Sequence, residues 1–238
     1  MTYNELIRDS RMLYAAWFPQ TKRYFLTQED GLCAVIFPEQ ADLDRYALKK
    51  KEEGIRVDAV ENPIENRDLL LADFWRSGIT KVRIEGSQPV ILPLSELYSP
   101  PDYSAVPPAK RPVPDPALTG VINLLLQRSV LKTADKDMVF DVLHRLREAS
   151  LFGPAVTQPD GSMGLPVFTP HETRLALLFT DTREFGLVFH GEDIETKRFD
   201  FEDIIWLLNH NFEAVAINYA SGVALMLDKT LLQAAGML

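Results

Sequence analysis

Between positions 100 and 116 stand Pro100, Pro101, Pro107, Pro108, Pro112, Pro114 and Pro116. Each proline fixes its φ angle and removes a backbone N–H, so neither a helix nor a central strand can run through the stretch. Read as a semi-extended linker, residues 99–117 separate 1–98 from 118–238, and each flank has the size of one domain. Pro-x-x-Pro spacing is also what an SH3-type groove requires. The position midway along the chain favours the linker.

Beyond the linker, Leu118, Val121, Ile122, Leu125 and Leu126 recur at helical spacing, as do Met138, Val142, Leu143 and Leu146. Thr133 and Asp135 lie between the runs as candidate caps, so a helical hairpin is expected to lead into the C-terminal domain. Short strands follow at 165–169 and 175–180, with a turn at 171–173 between them. Arg198 and Phe199 close a third strand. Asp200 is placed to cap a helix carrying Ile204, Ile205, Leu207 and Leu208 inward. A strand at 214–218, a tight turn at 219–222 and a returning strand at 223–227 complete the pattern, and Asp228 starts a last helix. Strands interleaved with helices and joined by hairpin-length turns predict an α+β class.

An internal repeat underlies this order. Laying 27–37 over 169–179 puts Thr27, Ala34 and Phe37 on Thr169, Ala176 and Phe179. Laying 67–96 over 200–229 without a gap puts Val82, Ile84, Val90, Leu92 and Leu94 on Val215, Ile217, Val223, Leu225 and Leu227, and Gly78 on Asn211. Alternating apolar positions of this kind put one face of a strand in a core. The block offsets, 142 and 133 residues, leave extra residues in the first copy around 42–60, read as an inserted Lys/Glu-rich helix. The expected architecture is two similar small mixed-sheet domains flanked by helices. The first, 1–98, is diverged and carries the inserted helix. The second, 118–238, includes the helical hairpin.

The balance of charge narrows the function. Twenty-five Lys and Arg stand against 34 Asp and Glu, a formal net charge of −9. Phosphate neutralisation needs a basic face, so nucleic acid and anionic membranes are not expected partners. The run Lys49-Lys50-Lys51 is followed at once by Glu52-Glu53 and reads as a solvated helix end. The single cysteine, Cys33, sits in an apolar run, which excludes an intrachain disulfide and predicts a buried side chain. Residues 1–6 show no basic stretch leading into an apolar one, so no signal peptide is expected and the cytoplasm is the expected location.

No catalytic, metal-binding or cofactor motif emerges. His144, His171, His190 and His210 form no short metal spacing. Residues 161–164 lack the ending of a phosphate loop, and no Gly-x-Ser-x-Gly elbow occurs. The candidate binding residues are therefore His171, the corner formed by His190, Glu192 and Asp193, and the loop residues Asn218, Tyr219 and Ser221. Asn218 and Gly222 tolerate positive φ and suit a turn. Trp17, Phe18 and Tyr219 are aromatic candidates for a contact surface, with core burial the stronger reading for the first two.

The stretches 165–169, 175–181, 201–205 and 215–218 resemble the SseB family, named for an enhanced serine-sensitivity phenotype, and 13–97 resembles it more faintly. Proline often follows the hairpin asparagine in that family, whereas here Tyr219 follows Asn218, and Glu85-Gly86 hold the place in the first copy. The resemblance implies the fold and brings no reaction or cofactor. The expected function is that of a cytoplasmic bacterial protein-interaction or regulatory module, with another protein or a second copy as partner. The alternative is a small-ligand binder or enzyme with a site in the inter-domain cleft.

Overall fold

The computed structural model describes residues 10–28, 31–86, 88–107, 115–157, 163–190, 194–219 and 224–238. The chain divides into two compact units. Unit 1 holds the described residues up to Asp102 together with Thr119–Ala134, and unit 2 holds Tyr103–Leu118 with Asp135–Leu238. The fold class is α+β, with mixed sheets and helices in both units.

Unit 1 begins with β1 (Met12–Phe18), β2 (Arg23–Tyr24), β3 (Leu26–Gln28) and β4 (Leu32–Phe37). Helix α1 (Gln40–Glu52), β5 (Asp58–Pro63), α2 (Arg67–Arg76), β6 (Lys81–Ile84), β7 (Val90–Pro93) and α3 (Leu94–Leu97) follow. The strands lie in the order β5–β1–β4–β6–β7, with β2 continuing beside β1 and β3 beside β4. One pair, β4 with β6, is parallel, and Ala34 faces Val82 and Ile36 faces Ile84. Parallel strands covered on both faces read as unbroken apolar runs, and residues 33–37 of β4 are all buried.

Helix α4 (Pro116–Val130) begins with Asp115 accepting a hydrogen bond from the Leu118 N–H at 2.9 Å, and Pro116 needs no donor at the first helical position. Unit 2 continues with α5 (Lys136–Leu146), β8 (Leu151–Thr157), β9 (Met163–Gly164), β10 (Leu175–Leu178) and α6 (Thr182–Val188). It ends with β11 (Glu195–Phe199), α7 (Phe201–His210), β12 (Ala214–Ile217), β13 (Leu225–Asp228) and α8 (Lys229–Ala234). Strands β10, β12 and β13 form one sheet and β11, β8 and β9 another, and the antiparallel pair Phe152–Phe179 joins them. The resulting order β11–β8–β10–β12–β13 repeats that of unit 1.

The hydrogen bonds repeat residue by residue. Thr80 N–H donates to Leu32 O and Glu85 N–H to Ile36 O; Glu213 N–H donates to Arg174 O and Asn218 N–H to Leu178 O. Ala176 faces Val215 and Leu178 faces Ile217, as offsets of 142 and 133 require. Tyr14 pairs with Phe37 as Phe152 pairs with Phe179, which makes β8 the counterpart of β1.

Several expectations need correction. Helix α1 is no insertion, because α6 occupies the same place between β10 and β11; the extra residues of unit 1 lengthen an existing helix. The returning strand is shifted by two residues. Val82 faces Leu92 but Val215 faces Leu227, so Leu92 corresponds to Leu227 and the second hairpin has the longer connection. The expected strand at 165–169 is only the pair Phe168–Leu175 after β9. Asp135, not Thr133, caps α5, accepting from Met138 N–H at 2.9 Å. The Thr133 hydroxyl instead bonds the Arg128 carbonyl.

The two arms of the expected helical hairpin belong to different units. The reason lies in three residues along one stripe of α4. Gly120 lies against Leu32 and Gly78, where an added Cβ would meet the Leu32 methyl at 2.6 Å and the Gly78 carbonyl at 2.9 Å. Asn123 accepts from Arg23 Nε at 3.3 Å and donates to the Ser77 carbonyl at 3.4 Å. The Gln127 amide accepts from Leu26 N–H and donates to Leu26 C=O, both at 2.8 Å, and so substitutes for a neighbouring strand. Both amides are buried.

Gln127→Ala strands both Leu26 backbone groups and is expected to cost roughly 2–4 kcal/mol in chemical denaturation of unit 1. A loss of a few tenths would contradict this role.

Candidate functional site

The carboxyl ends of β10 and β12 hold a closed polar latch. Asn218 has φ 59° and is fully buried. Its Oδ1 accepts from Thr180 N–H at 3.0 Å and its Nδ2 donates to Thr180 Oγ1 at 2.9 Å. Asparagine tolerates the left-handed backbone region, and here its side chain also joins two strand ends. Asn218 is thus committed to internal bonds. Tyr219 is half-buried, edge-to-face on Phe168 with ring centroids 5.4 Å apart. Asp181 accepts from Glu184 N–H at 2.9 Å and caps α6; both acids are buried.

The other expected residues do not converge on this latch. His190 is exposed just beyond α6, and His171 belongs to a short 3-10 turn, Pro170–Glu172. Glu192, Asp193 and Ser221 lie outside the described residues, as does most of the turn expected at 219–222. Trp17 packs edge-to-face on Tyr24, and Phe18 is fully buried. Cys33 is buried, as its apolar run predicts. No group of three or more His, Cys, Asp or Glu side chains is placed to hold a metal among the described residues.

A separate opening of unit 2 lies on one side of α7. It is a half-open cavity of about 610 Å³. Leu165, Phe199, Leu207 and Phe212 form its apolar lining, and Trp206 and Val167 stand on it 53% and 45% exposed. The long side chains of Arg174 and Lys197 also line it. Lys197 Nζ sits 5.6 Å from the Phe199 ring centroid, a cation–π contact. Among the described residues neither Arg174 nor Lys197 has an ion pair. The one acid of the lining, Asp203, is engaged in a capping box: its carboxylate accepts from Asp200 N–H while Asp200 accepts from Asp203 N–H, both at 3.0 Å. The cavity therefore combines an apolar floor with net positive charge, in a chain of net charge −9.

Of these residues the sequence places Leu165 and Val167 in a strand, Phe199 at the end of another and Leu207 on the inner side of a helix, and it marks none as a candidate site residue. Trp206 was the available signal: it falls outside the inward set Ile204, Ile205, Leu207 and Leu208, so a large aromatic faces outward. In unit 1, a cavity of about 580 Å³ lies beside the carboxyl end of α1 and is lined by Lys51, Gly54, Arg56 and Asp58 among others. There Asp58 raises the Arg56 pKa through a hydrogen bond, and Lys50 lowers that of Glu53 in the same way. Both side chains are exposed.

No protein-family model matches the chain, and no curated protein does. Two solved structures are similar to it at low scores. Tic22 of Anabaena, described as a protein of protein transport, is 8% identical over 89% of this chain and 88% of its own, with TM-score 0.23. Tic22 from Plasmodium falciparum is 9% identical over 91% of each chain, with TM-score 0.24. Likenesses at these scores inform neither the fold nor the function. No helix among the described residues is long and apolar enough to cross a membrane.

Asn218→Ala is expected to destabilise unit 2 by roughly 2–3 kcal/mol, because buried Thr180 groups lose their partner. Asn218→Gly should recover about 1 kcal/mol of this by accepting the positive φ. Equal denaturation midpoints for the two variants would place no strain at this position.

Proposed function

We propose that the chain is a non-catalytic, cytoplasmic protein-interaction or regulatory module, made of two diverged copies of one SseB-like unit, and that unit 2 presents its contact site beside α7. The shared bonding of β4 with β6 and of β10 with β12 supports the duplication. Of the stretches that resemble SseB, 165–169 and 201–205 supply Leu165, Val167 and Asp203 to the cavity wall.

The observation that carries the reading is the composition of that cavity. Exposed Trp206 and Val167 stand above an apolar floor, with Arg174 beside them. Tryptophan and arginine are the residues that dominate protein contacts, because each brings a large rigid surface with a polar edge. A volume of about 610 Å³ would also admit a small apolar acid, so the test separates the two occupants.

A photo-crosslinking residue placed at position 167 or 206 in living cells is expected to give one discrete protein adduct, absent when the same group replaces exposed Leu69 of unit 1. Identical adducts from all three positions, or none from 167 and 206, would contradict the proposal. A saturable thermal stabilisation by a small carboxylic acid, lost in Arg174→Ala, would assign the cavity to a small ligand instead.

A further inference from the structure

The bonding that repeats between the units also fixes which residues of unit 2 stand where α4 sits in unit 1. Cys33 corresponds to Leu175, so its partner Thr27 corresponds to Phe168 and Leu26 to Val167. Trp17 and Phe18 pair with Tyr24 and Arg23, as Val156 pairs with Gly164, which makes Gly164 the counterpart of Arg23 and Leu165 that of Tyr24. Ile79 N–H donates to Phe74 O as Phe212 N–H donates to Leu207 O. Gly78 therefore matches Asn211, and Asp73 matches Trp206.

In unit 1, α4 rests on Leu32, Gly78, Arg23, Ser77 and Leu26. The counterparts in unit 2 are Arg174, Asn211, Gly164, His210 and Val167. All but His210 line the cavity, and His210 adjoins Asn211. The cavity is thus the seat that α4 fills in the other unit, and it is unfilled by the described residues of unit 2.

The side chains around the two seats differ in one direction. In unit 1, Tyr24 donates a hydrogen bond to Asp73 at 2.7 Å, and Tyr24 packs edge-to-face on Phe74. In unit 2 the same positions hold Leu165 and Trp206, an apolar pair open to the cavity. The outward-facing backbone of Leu26 is paired by Gln127, while that of Val167 has no hydrogen-bond partner among the described residues. Leu32, under Gly120, is replaced by Arg174.

We infer that the seat in unit 2 receives an acidic amphipathic helix of a partner protein, held as α4 is held in unit 1. This inference rests on the interaction reading above and names the partner's chemistry. A helix laid in an apolar groove buries one face, and unit 1 shows that this groove has helical dimensions. Arg174 and Lys197 without acidic partners select a carboxylate on the entering helix. Helix α4 carries no acid and one base, Arg128, so the same helix from a second copy lacks that complement.

The probe is a peptide of residues 116–130 with a hydrocarbon staple joining positions 118 and 122, opposite the Gly120–Asn123–Gln127 stripe. One version carries Gly120→Glu, a second Gly120→Lys, and a third carries Gly120→Glu with prolines at 122 and 125 in place of the staple. Binding to the full chain is read from the Trp206 indole NMR signal. The acidic helix is expected to bind at least about tenfold more tightly than the other two, and Arg174→Glu to reverse the preference between the acidic and basic peptides. Equal binding of the proline-broken peptide would overturn the helix and leave the interaction reading intact. Silence of the Trp206 signal towards all three would overturn both. Self-association of the chain abolished by Trp206→Ala would assign the seat to a second copy and overturn the partner.

Discussion

The parallel pairing of a central strand with the first strand of a hairpin governs the rest of each unit. In unit 1 it joins β4 to β6, and in unit 2 β10 to β12. A parallel pair needs a long crossover, and each crossover carries an edge strand between two helices: α1, β5 and α2 in unit 1, and α6, β11 and α7 in unit 2. Fixing the pair fixes where the helix ends, because Thr80 and Glu213, just beyond those helices, bond Leu32 and Arg174 at the starts of β4 and β10. The seat beside the helix end follows from that bond. One frame therefore generates one seat twice, and the side chains around it decide whether it is filled.

The two seats illustrate how a polar contact and an apolar one serve different ends. Buried amides need partners, and Asn123 and Gln127 find theirs on Ser77 and Leu26, which commits α4 to unit 1. The Tyr24–Asp73 bond closes the neighbouring surface. Leu165 and Trp206 make no such demand on each other and leave apolar area in water. Arg174 adds charge where unit 1 has Leu32. An area of this kind gains from an incoming surface that supplies both apolar contact and a carboxylate.

Much of the fold was legible in the sequence. Unbroken apolar runs marked β4, β10 and β12, and Asp200 marked the start of α7, where it forms a capping box with Asp203. Strand β8 was hidden because Gly153 and Pro154 interrupt its pattern. Gly153 is needed there, since an added Cβ would stand 2.6 Å from the Phe199 ring and 2.8 Å from a Leu178 methyl. Helix α6 was hidden by its brevity and by Gly186 at its centre. The seat was out of reach for a different reason. The Gln127–Leu26 bond joins residues 101 apart, and a side-chain amide leaves no periodic mark. An ungapped offset of 142 set Thr27 on Thr169, one residue from its bonded counterpart Phe168, and so concealed the correspondence of Leu26 with Val167.

The claim that one seat is occupied from within and its counterpart is open is tested most directly by comparing two backbone amides. Hydrogen exchange resolved to single residues should find the Leu26 amide protected by several orders of magnitude, since Gln127 holds it in the interior. The Val167 amide should exchange at close to the rate of an exposed loop. Comparable protection at Val167 in the isolated chain would mean that another part of the chain already fills its seat.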